Sequence, residues 1–496
     1  MTSTSGNRFR SAATHRAALL VPAALTVLLA LPSMTKSFWF DEAASAVSAD
    51  RSLSATLQLL THVDGSMSAY YVFLNGWTKL FGTSEFAIRF PSLLAMTGAV
   101  ILTGMLGRRL GSAWIGLAAA ILFAVAPRTV SYAAEARPYA LAVFFTVLAA
   151  WLAARFTPTR PGWAFGGFTV AATFATGFQL MALLPLAFVA LFLSGWVRRI
   201  VALVLPVVTA GSIWLLMSGQ PNFQSWLQRP SITTIVESLF AAGAISLGLL
   251  AAWVIIPAIR RQQPLQFNPH AILGLAAFIP WLVTYLASYV RPMFLPRYLL
   301  PTTPFIAVLG GFAAIAVIRW VLTLSTGVAT SLIAAAVIGV VAVTVALLVM
   351  VPSTKTQDFR LAAKTITSDA NAGDAVVYEP QWLAPAMEWY LKQQPNDPSE
   401  TALTAGTPDR PDDNLWAESG TEAESLEWIL DSKRAWVVSL PGSDWSPVPD
   451  SEGKAIRALD KCGALIKKYT LPDYELGELT LSLYKVADKP GCMPAQ

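Results

Sequence analysis

Two adjacent carboxylates, Asp41 and Glu42, follow the aromatic triplet Phe38, Trp39 and Phe40 just past the first apolar run of this 496-residue chain. Acids placed against a membrane surface are costly unless they are solvated or used, which makes the pair a candidate for proton transfer. A plainer reading is also open, because Asp and Glu favour the first turn of a helix. Cations that could complete a site lie far along the chain. Arg297 stands between Pro296 and Tyr298, among four prolines (Pro292, Pro296, Pro301 and Pro304) that stiffen the backbone. Its planar guanidinium suits a phosphate held through two bonds. Glu135 and Arg137, in the stretch EARPY, either pair with each other at the surface or share the same chemistry. His62, Asp64, Tyr70 and Tyr71 add polar groups in the loop after Asp41, but two potential ligands do not make a metal site, and none is expected.

The elements that must position these residues are membrane helices. Hydrophobic residues make up 55% of the chain and charged ones 13%, and the mean hydropathy is +0.53. That composition excludes an ordinary soluble globular protein. Apolar windows long enough to cross a bilayer fall near 17–33, 88–107, 113–130, 138–154, 163–178, 181–196, 200–218, 236–259, 271–290, 298–320 and 327–351, about eleven spans. The first window resembles a secretory signal but lacks a small-residue cleavage site, so it reads as a span.

Charge then orients the chain. Only seven of the 30 Asp and Glu precede residue 353, against 21 of the 35 Lys and Arg, so the front carries +14 and the tail −9. With the N-terminus in the cytoplasm, Arg8, Arg10, Arg16, Arg108, Arg109, Arg155, Arg160, Arg198, Arg199, Arg260, Arg261 and Arg319 fall inside, while all seven early acids fall outside. Arg89 and Arg128, close to span ends, read as arginines snorkelling to lipid headgroups. The first outer loop, from about Met34 to Ala87, shows helix-like apolar spacing over 41–60 and 66–81, as expected of helices lying in the interface plane.

Beyond Pro352 the composition turns polar. Short alternating runs at 375–378, 435–439, 465–470 and 479–486, interleaved with helix-like windows at 358–370, 383–392 and 421–431, predict a small α/β domain on the outer side. Cys462 and Cys492 both lie there, where a disulfide would persist, although two free thiols fit as well. The expected fold is therefore a polytopic α-helical membrane domain over 1–351, with juxtamembrane helices in its first outer loop at 34–87, followed by an extracytoplasmic α/β domain over 352–496.

One carboxylate pair and several arginines facing the outer leaflet suggest a reaction on a lipid-linked phosphate. A glycosidase acting on an ordinary glycoside needs a second carboxyl group to protonate the leaving oxygen. A sugar leaving from phosphate does not, because the phosphate departs as a stable anion and needs cations instead. Asp41 would deprotonate the acceptor hydroxyl and Arg297 with a partner would hold the phosphate. A lipid-linked sugar flippase is the rival, but it predicts internal repeats and mid-membrane charges, and neither is evident. No nucleic-acid partner is expected.

Four stretches, FWFDEAAS, SAYYVFLNGWTKLFGTSEFAIRFPSLLA leading into GRRLG, SYAAEARPYAL, and FLPRYLLPTTP, together resemble the GT-C superfamily of integral-membrane glycosyltransferases. The resemblance is to the branch of protein O-mannosyltransferases and lipid A aminoarabinose transferases, in its actinobacterial form. It implies a polyprenyl-phosphate-sugar donor, inversion at the anomeric carbon, and a plasma-membrane enzyme of cell-wall biosynthesis. The acceptor would be a glycolipid, a polysaccharide or a protein. Carried over, the general base falls on Asp41, with Glu42 helping to orient acceptor or sugar, and Arg297, Arg137 and Tyr298 fall near the donor phosphate. His62, Asp64, Tyr70, Tyr71 and Glu135 become acceptor or sugar-site candidates. The His-Pro-Pro element common in that branch is missing, since the local sequence is THVDGSMSAYY. No organic cofactor is implied, and a divalent cation is permitted without being indicated.

Overall fold

The computed structural model describes residues 17–157, 162–220, 229–259, 269–323, 358–371, 374–379, 381–394, 432–440, 463–471 and 478–486, with a few isolated positions between them. It is mostly helical with one small sheet. In chain order the helices are α1 (Leu20–Ala30), α2 (Phe40–Asp50), α3 (Leu53–His62), α4 (Ser68–Phe81), α5 (Glu85–Leu110), α6 (Ala113–Ala124), α7 (Pro127–Ala133) and α8 (Tyr139–Arg155). They continue with α9 (Gly162–Phe178), α10 (Leu183–Val189), α11 (Trp196–Ser218), α12 (Ile232–Ile259), α13 (Pro269–Ala287), α14 (Thr303–Val321), α15 (Phe359–Asp369) and α16 (Ala384–Leu391).

By length and composition, four helical stretches among the described residues can cross a membrane: α5, α11, α13 and Pro296–Val321. A fifth forms if α6 and α7, bent by 66° to each other, count as one broken span. That break falls where Pro127 forces Ala126 into an extended conformation. Shorter apolar helices occupy Leu20–Ser33, Tyr139–Arg155, Leu180–Phe192 and Ile232–Gly243. The 181–196 window is therefore not one continuous helix, and the 327–351 window, apart from Gly327, lies outside the described residues.

The centre of the helical body is α5, which runs beside α8, α6 and α1. Its approach to α6 depends on small residues, because a Cβ at Gly116 would collide with the Gly104 carbonyl. Close backbone contact of this kind is how helices associate where lipid removes the hydrophobic drive. At its start, α5 is capped by Ser84, whose Oγ accepts from the Ala87 N–H at 3.3 Å.

The first loop folds into three helices packed on one another. The apolar stretch 41–60 is split after Asp50, where Arg51 is extended and Ser52 caps α3 by accepting from the Ala55 N–H at 3.2 Å. Asn75 of α4 closes the end of α2, its Nδ2 donating to the carbonyls of Ala49 at 3.1 Å and Arg51 at 2.8 Å. The chain leaves α4 through Gly82 at φ +80°, a left-handed geometry that favours glycine.

The C-terminal part contains a four-stranded sheet in the order β1-β2-β4-β3, from β1 (Ala375–Glu379), β2 (Arg434–Ser439), β3 (Gly463–Leu471) and β4 (Leu479–Val486). The first pair is parallel and the other two are antiparallel. Its helices α15 and α16 pack on each other, and α16 packs directly on α2. Cys462, Cys492 and, apart from Ile429, the 421–431 window lie outside the described residues.

Candidate active site

Helix α2 begins at Phe40 because Trp39, with ψ 168°, is still extended, which puts Asp41 and Glu42 in its first turn. Successive residues on a helix point about 100° apart, so the two carboxylates must diverge. Glu42 turns inward and is fully buried. Arg89 of α5 grips it with both ends of its guanidinium, Nε to Oε1 at 2.8 Å and Nη2 to Oε2, and the Ala136 N–H donates to Oε1 at 2.8 Å. The remaining Arg89 hydrogens go to the carbonyls of Ser33, Met34, Lys36 and Ser37. Two expectations are corrected here. Arg89 does not snorkel to lipid but is a buried clamp, and Glu42 does not stand beside Asp41 on a substrate face, since its oxygens are already engaged inside the protein.

Asp41 keeps 17% of its side chain exposed and faces two arginines from separate segments. Its Oδ2 lies 3.2 Å from Arg297 Nη1 and 3.7 Å from Arg137 Nη2. Arg137 Nη1 also donates to the Asp41 carbonyl at 3.1 Å and to Ser45 Oγ at 3.4 Å, which fixes that side chain on the first turn of α2. The reading of Glu135 and Arg137 as a surface pair is also corrected, because both are buried. Burial works against the Arg137 charge, yet Asp41 and the neighbouring Tyr139, Tyr71 and Asp64 hold its pKa well above the usual value.

Arg297 is positioned by a run of 3-10 turns, Pro296–Thr302, that enters α14 after an extended Leu295. Trp281 of α13 braces the end of that run by donating to Thr302 Oγ1 at 2.8 Å. Aromatic rings wall the cations: Trp39 lies 5.9 Å from the Arg297 guanidinium, and Tyr298 lies 6.4 Å from Tyr139, centre to centre. Arg137 Nε, Arg297 Nε, Tyr139 OH, Tyr70 OH and Trp39 Nε1 are buried without a hydrogen-bond partner among the described residues. Buried polar atoms are normally satisfied, so the two open guanidinium N–H groups of Arg137 and Arg297 beside Asp41 make this the candidate place for a polar ligand.

Not every candidate converges there. Asp64 adopts a left-handed backbone, φ 53° and ψ 30°, and accepts from Tyr71 OH at 2.8 Å. Burial pushes its carboxyl above the ordinary value, with Arg137 opposing. Tyr71 and Tyr70 are both buried. His62 stands exposed at the end of α3, its ring bonded to Thr61 Oγ1 at 2.9 Å and to the Gln58 carbonyl at 3.2 Å. Among the described residues no three His, Cys, Asp or Glu side chains gather in a group that could hold a metal ion.

Sequence reasoning missed three supports. Gln220 ties the Asp64 loop to the end of α11, its Oε1 accepting from the Gly65 N–H at 3.0 Å and its Nε2 donating to the Leu60 carbonyl at 2.8 Å. Tyr390 and Arg360, from the C-terminal part, reach the stretch just before Asp41: the Phe38 N–H donates to Tyr390 OH at 2.7 Å and Arg360 Nη2 to the Thr35 carbonyl at 3.0 Å. A polar residue following an apolar helix was the only trace of Gln220.

Residues 67–219 match the family model described as dolichyl-phosphate-mannose-protein mannosyltransferase. No curated protein matches the chain by sequence. Among solved structures, ArnT from Cupriavidus metallidurans in the apo state is similar with a TM-score of 0.58 at 14% identity, covering 94% of this chain and 97% of that one. ArnT bound to undecaprenyl phosphate matches with the same score and identity over 96% and 99%. The chain thus shares its overall fold with ArnT, and from α4 to α11 it is similar to that mannosyltransferase family model.

Proposed function

We propose that the protein is an inverting glycosyltransferase that moves a sugar from a polyprenyl-phosphate donor to a hydroxyl group on the outer face of the plasma membrane. The observation that carries this is the meeting of Arg137 and Arg297 at Asp41 Oδ2. A carboxylate beside two arginines with unused buried N–H groups is what transfer from a phosphate leaving group requires. The acceptor oxygen attacks the anomeric carbon while its proton passes to Asp41, the carbon–phosphate-oxygen bond breaks, and polyprenyl phosphate leaves as an anion held by the guanidiniums. Glu42, locked to Arg89, positions Asp41 without touching substrate.

The undecaprenyl phosphate in the ArnT complex supports a lipid-phosphate donor, and the description of the family model makes mannose the sugar to try. A glycolipid, polysaccharide or protein hydroxyl is the acceptor. Eleven spans, a cytoplasmic N-terminus, an extracytoplasmic C-terminal domain and a Cys462–Cys492 disulfide complete the reading. The charge distribution supports the orientation, and alkylation of the unreduced protein tests the disulfide.

The decisive experiment follows release of polyprenyl phosphate from polyprenyl-phosphate-mannose by protein purified in detergent, across a panel of hydroxyl acceptors. Acceptor-dependent release is expected. If no lipid-phosphate sugar is consumed with any acceptor, the reading fails.

A further inference from the structure

The backbone leading into Asp41 is held from the far end of the chain. Phe38 donates its buried N–H to Tyr390 OH at 2.7 Å, and Tyr390 OH donates onward to Glu85 Oε1 at 3.0 Å. The same Glu85 oxygen takes Nη2 of Arg360 at 2.5 Å. Arg360 also bonds the Thr35 carbonyl through Nη2 and Ser37 Oγ through its own backbone N–H, at 3.0 and 3.3 Å. Glu85 opens α5, the helix that carries Arg89 one turn later, and Arg89 takes the carbonyls of Ser33, Met34, Lys36 and Ser37 from below. The Phe38 ring is fully buried, 6.1 Å from Trp389 and 6.3 Å from Tyr390. The five carbonyls of residues 33–37, the Ser37 hydroxyl and the Phe38 N–H are thereby held, part from α5 and part from the C-terminal helices.

We propose that Tyr390 is a positioning residue for the transfer reaction, acting through Phe38 to hold the first turn of α2 and hence Asp41. The proposal rests on the reading of Asp41 as the base. Among the described residues Tyr390 makes no bond to Asp41, Arg137 or Arg297; its hydroxyl is the junction between the Phe38 N–H and Glu85. An error of about 1 Å in placing a reacting group is enough to cost around a hundredfold in rate.

The test compares the full-length parent with Tyr390→Phe, which keeps the ring and removes only the hydroxyl, and with Glu85→Gln, which weakens the same junction from its other side. Turnover and donor affinity are measured separately with polyprenyl-phosphate-mannose, together with amide hydrogen exchange of the 34–42 peptide without substrate. A positioning role predicts that kcat falls about tenfold or more in Tyr390→Phe and less in Glu85→Gln. Donor Kd stays within about twofold, because Arg137 and Arg297 keep their places, and the 34–42 amides exchange faster. A merely structural role would lower the melting temperature and leave kcat per folded molecule unchanged, and that result overturns the proposal, as does unchanged exchange of the 34–42 amides. A parent that consumes no lipid-phosphate sugar would fail the functional reading instead, and the exchange measurement still decides whether Tyr390 fixes the backbone.

Discussion

Arg89 and Glu42, 47 positions apart, form a doubly bonded ion pair with no solvent exposure on either side chain. Removing one partner of a buried pair leaves an uncompensated charge and costs about 3–5 kcal/mol, whereas replacing both is often nearly neutral. Arg89→Met alone should therefore lower the midpoint of unfolding in detergent sharply, while adding Glu42→Gln should recover much of the loss. Additive losses in the double variant would show that the pair is not coupled.

Asp41 can be tested without changing its size. Asp41→Asn is expected to cut turnover by at least about a hundredfold, the scale of a lost general base, while polyprenyl phosphate still binds. Near-parental turnover would remove Asp41 from the chemistry.

Arg297→Ala deletes one of the two cations at Asp41 Oδ2. Hydrogen bonds to charged groups are worth about 1.5–3 kcal/mol, so donor affinity should weaken by roughly 10- to 150-fold. Arg297→Lys should restore part of it, because an ammonium keeps the charge and loses the fork. Unchanged donor affinity in Arg297→Ala would exclude it from the phosphate site.

The Asp64 carboxyl is pushed by burial above its ordinary value of 3.8. The folded state therefore holds a proton there that the unfolded chain releases, and the stability this gives at acid pH is lost as pH rises from 3.8 through the shifted value. Asp64→Asn, which still accepts from Tyr71, should make stability less dependent on pH in that window and raise the melting temperature near neutrality. A variant less stable than its parent at neutral pH would contradict this.

The candidate site was legible largely because charge is scarce in a membrane protein. Asp41, Arg137 and Arg297 stand out among apolar neighbours, and the structure brings them within 3.7 Å. The four strands were legible for a related reason, since alternating β-branched runs contrast with a polar surround. Arg89 was not, because an arginine near the start of a span looks the same whether it faces lipid or protein. Only the packing of α5 against the loop decides it. Tyr390, Arg360 and Glu85 were hidden by distance, as their bonds to the first loop span 275 or more positions.

The hydrogen bond from Phe38 to Tyr390 also sets an order of assembly. A chain growing from its N-terminus places Asp41 early, but the residues that pin the backbone before it emerge more than three hundred positions later. The contacts seen around residues 35–38 form only once Arg360 and Tyr390 have been made and have folded back onto the first loop. A nascent or truncated chain that already carries Asp41, Arg137 and Arg297 still lacks the bonds from Tyr390 and Arg360 to the backbone just before Asp41.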